Sequence, residues 1–283
     1  MDFIKMHGLG NDFICLDHFL FPPEMDYSEI ARRLCHRQLG IGGDGFIVIL
    51  PSDKADARMR IFNPDGSEPE MCGNGIRCFA RYVYDAGYVK KDQITIETLA
   101  GILTVNLDIG DGQVQAVTVN MGEPYLDPEK IPVIAGSDLA VERKIEVLGQ
   151  KLIFTAVSMG NPHCVIFVRG FDTVEFEILG PAIEKHHLFP RKTNVEFAKI
   201  DNHQEITLKV WERGVGPTLA CGTGACAAVV AAVLEGRTER QVTVHLPGGD
   251  LKIEWSEDNH VFMTGPATYV FRGSVLEDRL DYS

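Results

Sequence analysis

The chain has 283 residues, 45% of them hydrophobic and 24% charged, and its formal net charge is −13 at pH 7. This length accommodates two domains of ordinary size, each with its own core. The acidic balance argues against a nucleic-acid-binding surface, so an anionic ligand has to be held by local donors.

Neither end nor middle of the sequence shows a membrane or export signal. The first residues, MDFIKMHGLGND, lack a basic segment followed by an apolar one, and the longest apolar run, residues 225–234, is too short to span a bilayer. The seven cysteines are odd in number and irregularly spaced, which fits a reducing compartment better than a secreted disulfide framework. We therefore expect a cytoplasmic protein that binds neither membrane nor nucleic acid.

Short alternating or apolar runs predict β-strands along the whole chain. In the first half the predicted strands are residues 13–17, 46–50, 57–62, 94–98, 102–107 and 114–119. In the second half they are residues 153–157, 164–168, 193–198, 205–211, 241–245, 251–255 and 260–263, followed by 269–271. The predicted helices are residues 28–37, 76–86, 181–187 and 224–235. Two of these, 76–86 and 224–235, are apolar around most of their circumference, which is typical of buried helices.

The two halves of the sequence resemble each other at an offset of 149 residues (221 − 72). FNPDGSEPEMCGNG aligns without a gap with WERGVGPTLACGTG, which places Cys72 on Cys221 and Asn63 on Glu212. GLGNDF near the start falls on SMGNPH at about the same shift. A period near half the chain indicates two related domains rather than a short-repeat array.

The duplication predicts an α/β (α+β) fold with two pseudo-symmetric domains. Each domain is expected to be a mainly antiparallel sheet wrapped around a central helix, with the active site in the cleft between them. The first domain would cover residues 1–124 and the second 125–267. The remaining tail, 268–283, is expected to return to the first domain.

The aligned cysteines stand where a backbone can tune a thiol. Glycines follow both Cys72 and Cys221, and a predicted helix begins just beyond each. The free N–H groups and positive dipole end of a helix favour an anion, either a thiolate or a bound carboxylate. Two such thiols could remove a proton from one face of a carbon and return one to the other face, because the two groups have similar pKa and exchange roles with direction.

A zinc site and a disulfide are the alternative explanations of the cysteines. Cys72 with Cys78 and Cys221 with Cys226 would supply four thiols, but structural zinc usually takes closer pairs. Cysteines inside a buried helix ordinarily serve packing. A bond joining Cys72 to Cys221 would be an oxidised, inactive form. We therefore predict no metal site.

The order and spacing of the motifs are highly specific. NPDGSEPEMCGNGIR, residues 63–77, closely resembles the signature of the diaminopimelate epimerases, a pyridoxal-independent enzyme family of lysine and peptidoglycan-precursor biosynthesis. The resemblance extends over the whole chain through GLGNDF, GIGGDG, MGNPHCV, TNVEF, WERG and ACGTGACA. It implies the same two-domain fold and an isomerase without a cofactor, and it suggests a homodimer.

The resemblance also implies roles for particular residues. Cys72 and Cys221 would be the acid/base pair that interconverts L,L- and meso-diaminopimelate, and His163 and Glu212 would adjust the ionisation of that pair. Four residues at the helix starts would hold the reacting carboxylate: Gly73, Asn74, Gly222 and Thr223. Six would bind the distal amino-acid group: Asn11, Asn63, Asn161, Asn194, Glu212 and Arg213. Some family members carry glutamine where this chain has Gly45, so any contact of that side chain is absent here.

The two halves differ where the two ends of such a substrate differ. The second half has Glu212, Arg213 and Asn194 in place of asparagine, proline and glycine in the first. Glutamate suits a distal ammonium and the arginine fork a distal carboxylate.

Two other functions compete with this one. A racemase of the same fold could act on proline, hydroxyproline or histidine, but such substrates would not need both Glu212 and Arg213. A relative with a phenazine-biosynthesis-type fold should lack the paired cysteines.

Overall fold

The computed structural model describes residues 1–20, 25–136 and 139–276. The chain divides into two compact units. Unit 1 comprises the described residues of Met1–Val119 and Gly265–Ser283, and unit 2 comprises those of Asn120–Thr264.

Unit 1 contains a mixed sheet and two helices. Its strands are β1 (Asp2–Gly8), β2 (Asn11–Asp17), β3 (Gly45–Leu50), β4 (Ala57–Phe62), β5 (Gln93–Thr98), β6 (Gly101–Gly110), β7 (Gln113–Asn120) and, from the end of the chain, β17 (Thr268–Ser274). They pair in the order β17-β1-β2-β3-β4-β5-β6-β7. Helix α1 is Tyr27–Leu34 and helix α2 is Gly73–Asp85. The buried face of α1 packs on β3 and β4, whereas α2 lies against β1, β2, β3, β4 and β6.

Unit 2 repeats this arrangement with an added hairpin strand. Its strands are β8 (Arg143–Val147), β9 (Gln150–Ser158), β10 (Pro162–Phe167), β11 (Asn194–Asn202), β12 (Glu205–Glu212), β13 (Gly216–Thr218), β14 (Gln241–Leu246), β15 (Gly249–Trp255) and β16 (Val261–Gly265). They pair in the order β8-β9-β10-β11-β12-β14-β15-β16, with β13 on β12. Helix α3 is Phe176–Glu184, helix α4 is Gly222–Leu234, and Phe171–Thr173 is a 3-10 turn.

The two units share one sequence of strand pairings. From β17 in unit 1 and from β8 in unit 2, successive pairs are antiparallel, antiparallel, parallel, antiparallel, parallel, antiparallel and antiparallel. Each unit therefore has a mainly antiparallel sheet packed against a central helix, α2 or α4. This confirms the predicted fold class of two pseudo-symmetric α/β units.

Both central helices begin and end in the same way. Each has 13 residues and starts immediately after a cysteine. At the C-terminus, Gly87 and Gly236 have φ of +79° and +65°. Their amides and those of the following residues bond back to the last turn, as Tyr88 N–H does to the Val83 carbonyl. This motif at the helix end requires a residue in the left-handed backbone conformation, which glycine adopts without strain.

The central helices differ in what they bury. Helix α4 is apolar on every side and nearly all of its side chains are buried. Helix α2 contains Arg77, which is fully buried and donates to the carbonyls of Gly73 at 3.0 Å and Pro266 at 3.1 Å. The prediction of a mainly apolar, buried helix is thus met by α4, while α2 carries a charged residue that donates to two backbone carbonyls.

Helix α3 does not lie where the sequence predicted it. It covers Phe176–Glu184 rather than residues 181–187, because Pro181 occupies the helix interior instead of its first position. The proline ring removes the amide that would bond to Glu177, a local cost that packing outweighs. Gly180 allows this packing, since a Cβ there would lie 2.7 Å from the Trp211 ring.

Three strands were missed by the sequence patterns. The sequence of β1 places a lysine, Lys5, among buried apolar residues, and β8 and β13 are short. Tertiary pairing forms these strands where the local hydrophobic pattern is weak. None of the helices in the described parts of the chain is long and apolar enough to cross a membrane.

Candidate active site

The two aligned cysteines occupy equivalent backbone positions. Cys72 is the N-cap of α2, with φ −142° and ψ 118°, and Cys221 is the N-cap of α4, with φ −123° and ψ 109°. Their carbonyls accept the first helical bonds, from the amides of Ile76 and Ala225, at 2.9 Å each. Gly73 and Gly222 are the first residues of the two helices, so amides without a partner inside the helix follow each thiol.

The two side chains differ in their surroundings. The Cys221 thiol is buried, and its sulfur accepts from the Gly224 amide at 3.3 Å and lies 3.5 Å from Thr223 Oγ1. Cys72 is partly exposed, and its side chain makes no capping bond to α2. Equivalent sequence positions therefore carry thiols of different accessibility.

The pKa of the Cys221 thiol lies well above its usual value. Burial is the main cause, and the charge of Glu212 adds to it. Hydrogen bonds from Thr223 and Gly224 lower the pKa without reversing the shift. A helix N-terminus by itself favours a thiolate, but here burial and the Glu212 carboxylate outweigh that effect. Cys221 is therefore a thiol at neutral pH.

In unit 1, two of the predicted substrate residues meet. Asn74, in the first turn of α2, donates from Nδ2 to Oδ1 of Asn11 at 3.2 Å. Asn11 in turn donates to Oδ2 of Asp44 at 3.0 Å. The asparagines of the GLGNDF and CGNG motifs are thus joined beside Cys72.

The side chain of Asn63 makes its hydrogen bond elsewhere than with Asn11 and Asn74. It is exposed, and its Nδ2 donates to Ser67 Oγ at 2.9 Å within the NPDGS turn. Gly45, where some family members have glutamine, is buried, and a Cβ at that position would lie 3.1 Å from the Phe13 ring. A larger side chain there would require the Phe13 ring to move.

In unit 2, a second set of predicted residues forms a continuous chain of hydrogen bonds. Nε2 of the fully buried His163 lies 3.0 Å from Oδ1 of Asn161. Asn161 donates from Nδ2 to Thr223 Oγ1 at 3.3 Å, and that oxygen contacts the Cys221 sulfur. His163, Asn161 and Thr223 are therefore brought together at one cysteine.

The predicted recognition residues of the second half lie along β11 and β12. Asn194 is buried, donates from Nδ2 to the Pro162 carbonyl at 2.9 Å and accepts the Arg213 amide at 2.9 Å. The Glu212 carboxylate accepts from Thr218 Oγ1 at 2.6 Å. The Arg213 side chain is exposed, with Nη1 donating to the Arg191 carbonyl at 3.2 Å.

The sequence analysis missed Glu196. This residue is fully buried, and its Oε1 lies 2.7 Å from His163 Nδ1. Burial raises the pKa of Glu196, the contact with His163 lowers it and the charge of Glu212 raises it, with a net increase. A signal was present, since Glu196 stands two positions after Asn194 and so points to the same face of a strand.

A second missed group surrounds Asp12 and Asp44 in unit 1. Arg37 bonds to both carboxylates at 2.8 Å, and the buried Lys5 lies 2.5 Å from Asp12. Because Asp44 also accepts from Asn11, this group fixes the position of Asn11.

All seven cysteines are free thiols. Within residues 1–20, 25–136 and 139–276, no three His, Cys, Asp or Glu side chains are grouped so that they could hold a metal ion. Cys78 is fully buried in α2, and burial raises the pKa of its thiol to about 12.

Comparison with known proteins agrees with the fold and with the duplicated motifs. The family model described as "Diaminopimelate epimerase" matches residues 3–126 and 155–270. This match defines an isomerase of the epimerase and racemase class. Within that class, the chain belongs to the diaminopimelate epimerase family.

Individual relatives are similar over nearly their full length. A diaminopimelate epimerase of Desulfitobacterium hafniense is 67% identical, covering 99% of this chain and 100% of the relative. One of Moorella thermoacetica is 56% identical over 96% and 98%. One of Methanococcus maripaludis is 50% identical over 97% and 99%.

Solved structures with low sequence identity share the fold. A PhzF-family phenazine biosynthesis protein of Bacillus anthracis has a TM-score of 0.71 at 16% identity, covering 98% of this chain and 99% of its own. A probable proline racemase of Agrobacterium radiobacter has a TM-score of 0.69 at 16% identity over 99% and 94%. Function cannot be inferred from a fold that hosts several activities, so these similarities concern architecture alone.

Proposed function

We propose that this chain interconverts L,L- and meso-diaminopimelate with Cys72 and Cys221 as a two-base pair. The observation that carries the proposal is the equivalence of the two cysteines, each the N-cap of a central helix. One sulfur, as thiolate, takes the α-proton and becomes a thiol. The other, as thiol, gives its proton to the opposite face of the α-carbon and becomes a thiolate, so protons and charge balance.

The resting state follows from the burial of Cys221. Because the Cys221 pKa is raised, that residue starts as the thiol and Cys72 starts as the base. After one inversion the protonation states are exchanged.

The reacting carboxylate would be held at the helix starts. The main-chain amides around Gly73, Asn74, Gly222 and Thr223 are the donors available there. Since no electron-sink cofactor takes part in this mechanism, donors placed in advance have to stabilise the developing negative charge.

The distal amino-acid group would be recognised mainly by unit 2. Glu212 supplies a carboxylate for the ammonium and Arg213 a guanidinium for the carboxylate. Asn194 supports them by holding the Arg213 amide. Asn161, Asn11 and Asn63 would complete this recognition. Glu212 also raises the pKa of Cys221, which gives this residue a second role at the thiol.

The same proposal assigns the enzyme to the cytoplasm, where its seven free thiols would stay reduced, and to a homodimer, which the family resemblance suggests. Sedimentation of the purified chain tests the oligomeric state.

The deciding experiment is α-proton exchange in deuterated water without added cofactor or metal. Diaminopimelate should gain deuterium at the α-carbon and change configuration, whereas proline, hydroxyproline and histidine should not. Exchange on one of those three alone would replace the proposal with a racemase of that amino acid. A requirement for pyridoxal phosphate or for a metal would contradict the two-thiol mechanism.

A further inference from the structure

Glu196 is a buried carboxylate whose two oxygens have unequal surroundings. It lies on β11 and is fully buried. Oε1 is 2.7 Å from Nδ1 of His163 on the adjacent strand β10. Oε2 is also buried and has no hydrogen-bond partner among the described residues. Glu196 is not among the predicted site residues, and none of their proposed roles explains why a carboxyl is buried here.

From Glu196 a chain of four contacts leads to the Cys221 sulfur. Glu196 contacts His163 at 2.7 Å, and His163 contacts Asn161 at 3.0 Å. Asn161 contacts Thr223 at 3.3 Å, and Thr223 contacts Cys221 at 3.5 Å. All five residues belong to unit 2.

The amide of Asn161 fixes the direction of this chain. Its Nδ2 donates to Thr223 Oγ1, so its Oδ1 faces His163. An amide oxygen only accepts, so His163 Nε2 has to carry a proton. Because Thr223 Oγ1 already accepts from Asn161, its own hydroxyl proton is free to point at the sulfur.

One proton then has to lie in the contact of His163 Nδ1 with Glu196 Oε1. It can sit on nitrogen, giving an imidazolium and a carboxylate, or on oxygen, giving a neutral imidazole and a carboxylic acid. An ionised carboxylate would leave the buried Oε2 without a donor, which is costly.

The neighbouring groups also favour the neutral acid. Glu196 interacts electrostatically with four titratable side chains: His163 and Cys164 on β10, Glu212 on β12 and Cys221 on α4. Glu212 contributes a negative charge, and both cysteines are held as thiols by their raised pKa. Burial raises the pKa of Glu196 itself, in agreement with the geometry.

We propose that Glu196 is a positioning residue that stays protonated at neutral pH and donates to His163 Nδ1, so that every donor in the chain points towards the Cys221 sulfur. The proposal rests on the proposed function in one respect, namely that Cys221 must ionise during turnover. Hydrogen bonds arranged in one direction polarise one another. The last donor, the Thr223 hydroxyl, therefore offsets part of the effect of burial when Cys221 becomes a thiolate.

Two variants separate this arrangement from an ion pair. In Glu196→Gln, the side-chain amide N–H can donate to His163 Nδ1 as the acid does, and the direction of the chain is kept. In Glu196→Ala, that donor is lost, so His163 can take its other tautomer and Asn161 can reverse its amide. Thr223 would then donate to Asn161 and no longer to the sulfur.

The readout is the pH dependence of Cys221 alkylation, mapped by peptide mass spectrometry in a Cys72→Ala background. Glu196→Ala should slow alkylation at mildly alkaline pH by on the order of fivefold to tenfold, the worth of one hydrogen bond. Glu196→Gln should restore the wild-type profile. If Glu196 were instead ionised, both variants would remove a negative charge and speed alkylation, which would overturn the proposal.

Nitrogen NMR of His163 gives a second readout that needs neither substrate nor a variant. The proposal predicts an unprotonated Nδ1 and a protonated Nε2 at neutral pH. Two protonated ring nitrogens would overturn it. This measurement also separates the two proposals, since it stands even if diaminopimelate shows no α-proton exchange.

Turnover provides the third test, once the wild-type chain shows exchange. With Cys72 present, Glu196→Ala should lower kcat roughly fivefold to tenfold, the worth of one hydrogen bond. Glu196→Gln should recover most of this loss. Glu235→Gln is a matched control, because this side chain is also buried and bonds to Thr155, but at the opposite end of α4. A pH profile that shifts equally in Glu235→Gln would contradict a specific role of Glu196.

Discussion

The main-chain amide of Arg213 donates to Oδ1 of Asn194 at 2.9 Å. Asn194 also donates to the carbonyl of Pro162, so one buried amide ties the WERG segment to β10. The guanidinium of Arg213 remains exposed at the end of this support. A fixed backbone suits recognition of a distal carboxylate by an exposed arginine. Because the backbone is already ordered, binding has to order only the side chain.

Arg213→Ala should therefore raise KM for diaminopimelate roughly tenfold to a hundredfold, since hydrogen bonds to a charged group contribute about 1.5–3 kcal/mol. The value of kcat should change less, because the reacting carbon is at the other end of the substrate. Arg191→Ala is the control, because Arg213 bonds to the main-chain carbonyl of that residue and alanine keeps this carbonyl. Equal kinetics for the two variants would place Arg213 outside the site.

Replacement of either cysteine should abolish epimerisation. Cys72→Ala and Cys221→Ala should each lose at least roughly a thousandfold in kcat, within the range that a positioned acid or base contributes, while circular dichroism stays unchanged. Cys78→Ala, a thiol buried in the same helix as Cys72, should cost stability but not the mechanism. Substantial turnover in either of the first two variants would end the two-thiol proposal.

The two thiols should differ in reactivity although their motifs match. Cys72 is partly exposed, whereas Cys221 is buried and has a raised pKa. At neutral pH, iodoacetamide should therefore modify Cys72 well before Cys221, and the gap should narrow as pH rises. Peptide mass spectrometry over time measures both sites in one sample. Faster labelling of Cys221 would mean that Cys221, not Cys72, is the resting thiolate.

Equivalent glycines in the two central helices should respond unequally to alanine. A Cβ on Gly224 would lie 2.8 Å from Glu196 Oε1 and 3.2 Å from the Cys221 sulfur, so both groups would have to shift. A Cβ on Gly75 would meet the terminal carbon of the Ile61 side chain at 2.9 Å, which can turn away.

We expect Gly224→Ala to lower kcat by at least roughly tenfold, since catalytic groups tolerate little displacement. Gly75→Ala should act mainly on the urea midpoint. A larger kinetic loss in Gly75→Ala would show that the Glu196 contact does not position Cys221.

Asp12 should make stability depend on pH in the acid range. Burial would raise the pKa of Asp12, but hydrogen bonds from Arg37 and Lys5 outweigh it and lower the pKa from 3.8 to about 2. A carboxyl whose pKa is lowered by folding stabilises the protein at pH values above its unfolded-state pKa. This stabilisation is lost as the pH falls through the folded-state pKa.

Asp12→Asn should therefore have a lower urea midpoint than wild type at pH 7, and the difference should shrink as pH falls from about 4 to about 2. Glu29→Gln is the control, because Glu29 also bonds two arginines but does so on the surface of α1. A difference that stays constant down to the lowest pH would mean that Asp12 acts through packing rather than charge.

Much of the fold follows from the sequence because its signals are local or repeated. Alternating runs predicted most strands, and β4 was predicted with the bounds that it has, residues 57–62. Helices α2 and α4 were expected after the two cysteines, since glycines mark their starts and ends. The prediction missed β1 because of Lys5 and shifted α3 because of Pro181. In both places a residue unsuited to the element is compensated by distant partners.

The candidate site divides along the same line. The motifs located Cys72, Cys221 and most of the residues around them, but each motif is a local pattern. They could not show that Glu196, within TNVEF, contacts His163, because this bond spans 33 positions and depends on two adjacent parallel strands.

The sequence by itself determined that the chain is built twice and that each half carries one cysteine at the start of a central helix, since duplication and helix starts are written in local order. Only the tertiary structure decided that the two cysteines are not alike. Burial, the Glu212 carboxylate and a directed chain of hydrogen bonds act on Cys221. Each of these depends on which side chains the folded sheet of unit 2 brings beside one sulfur.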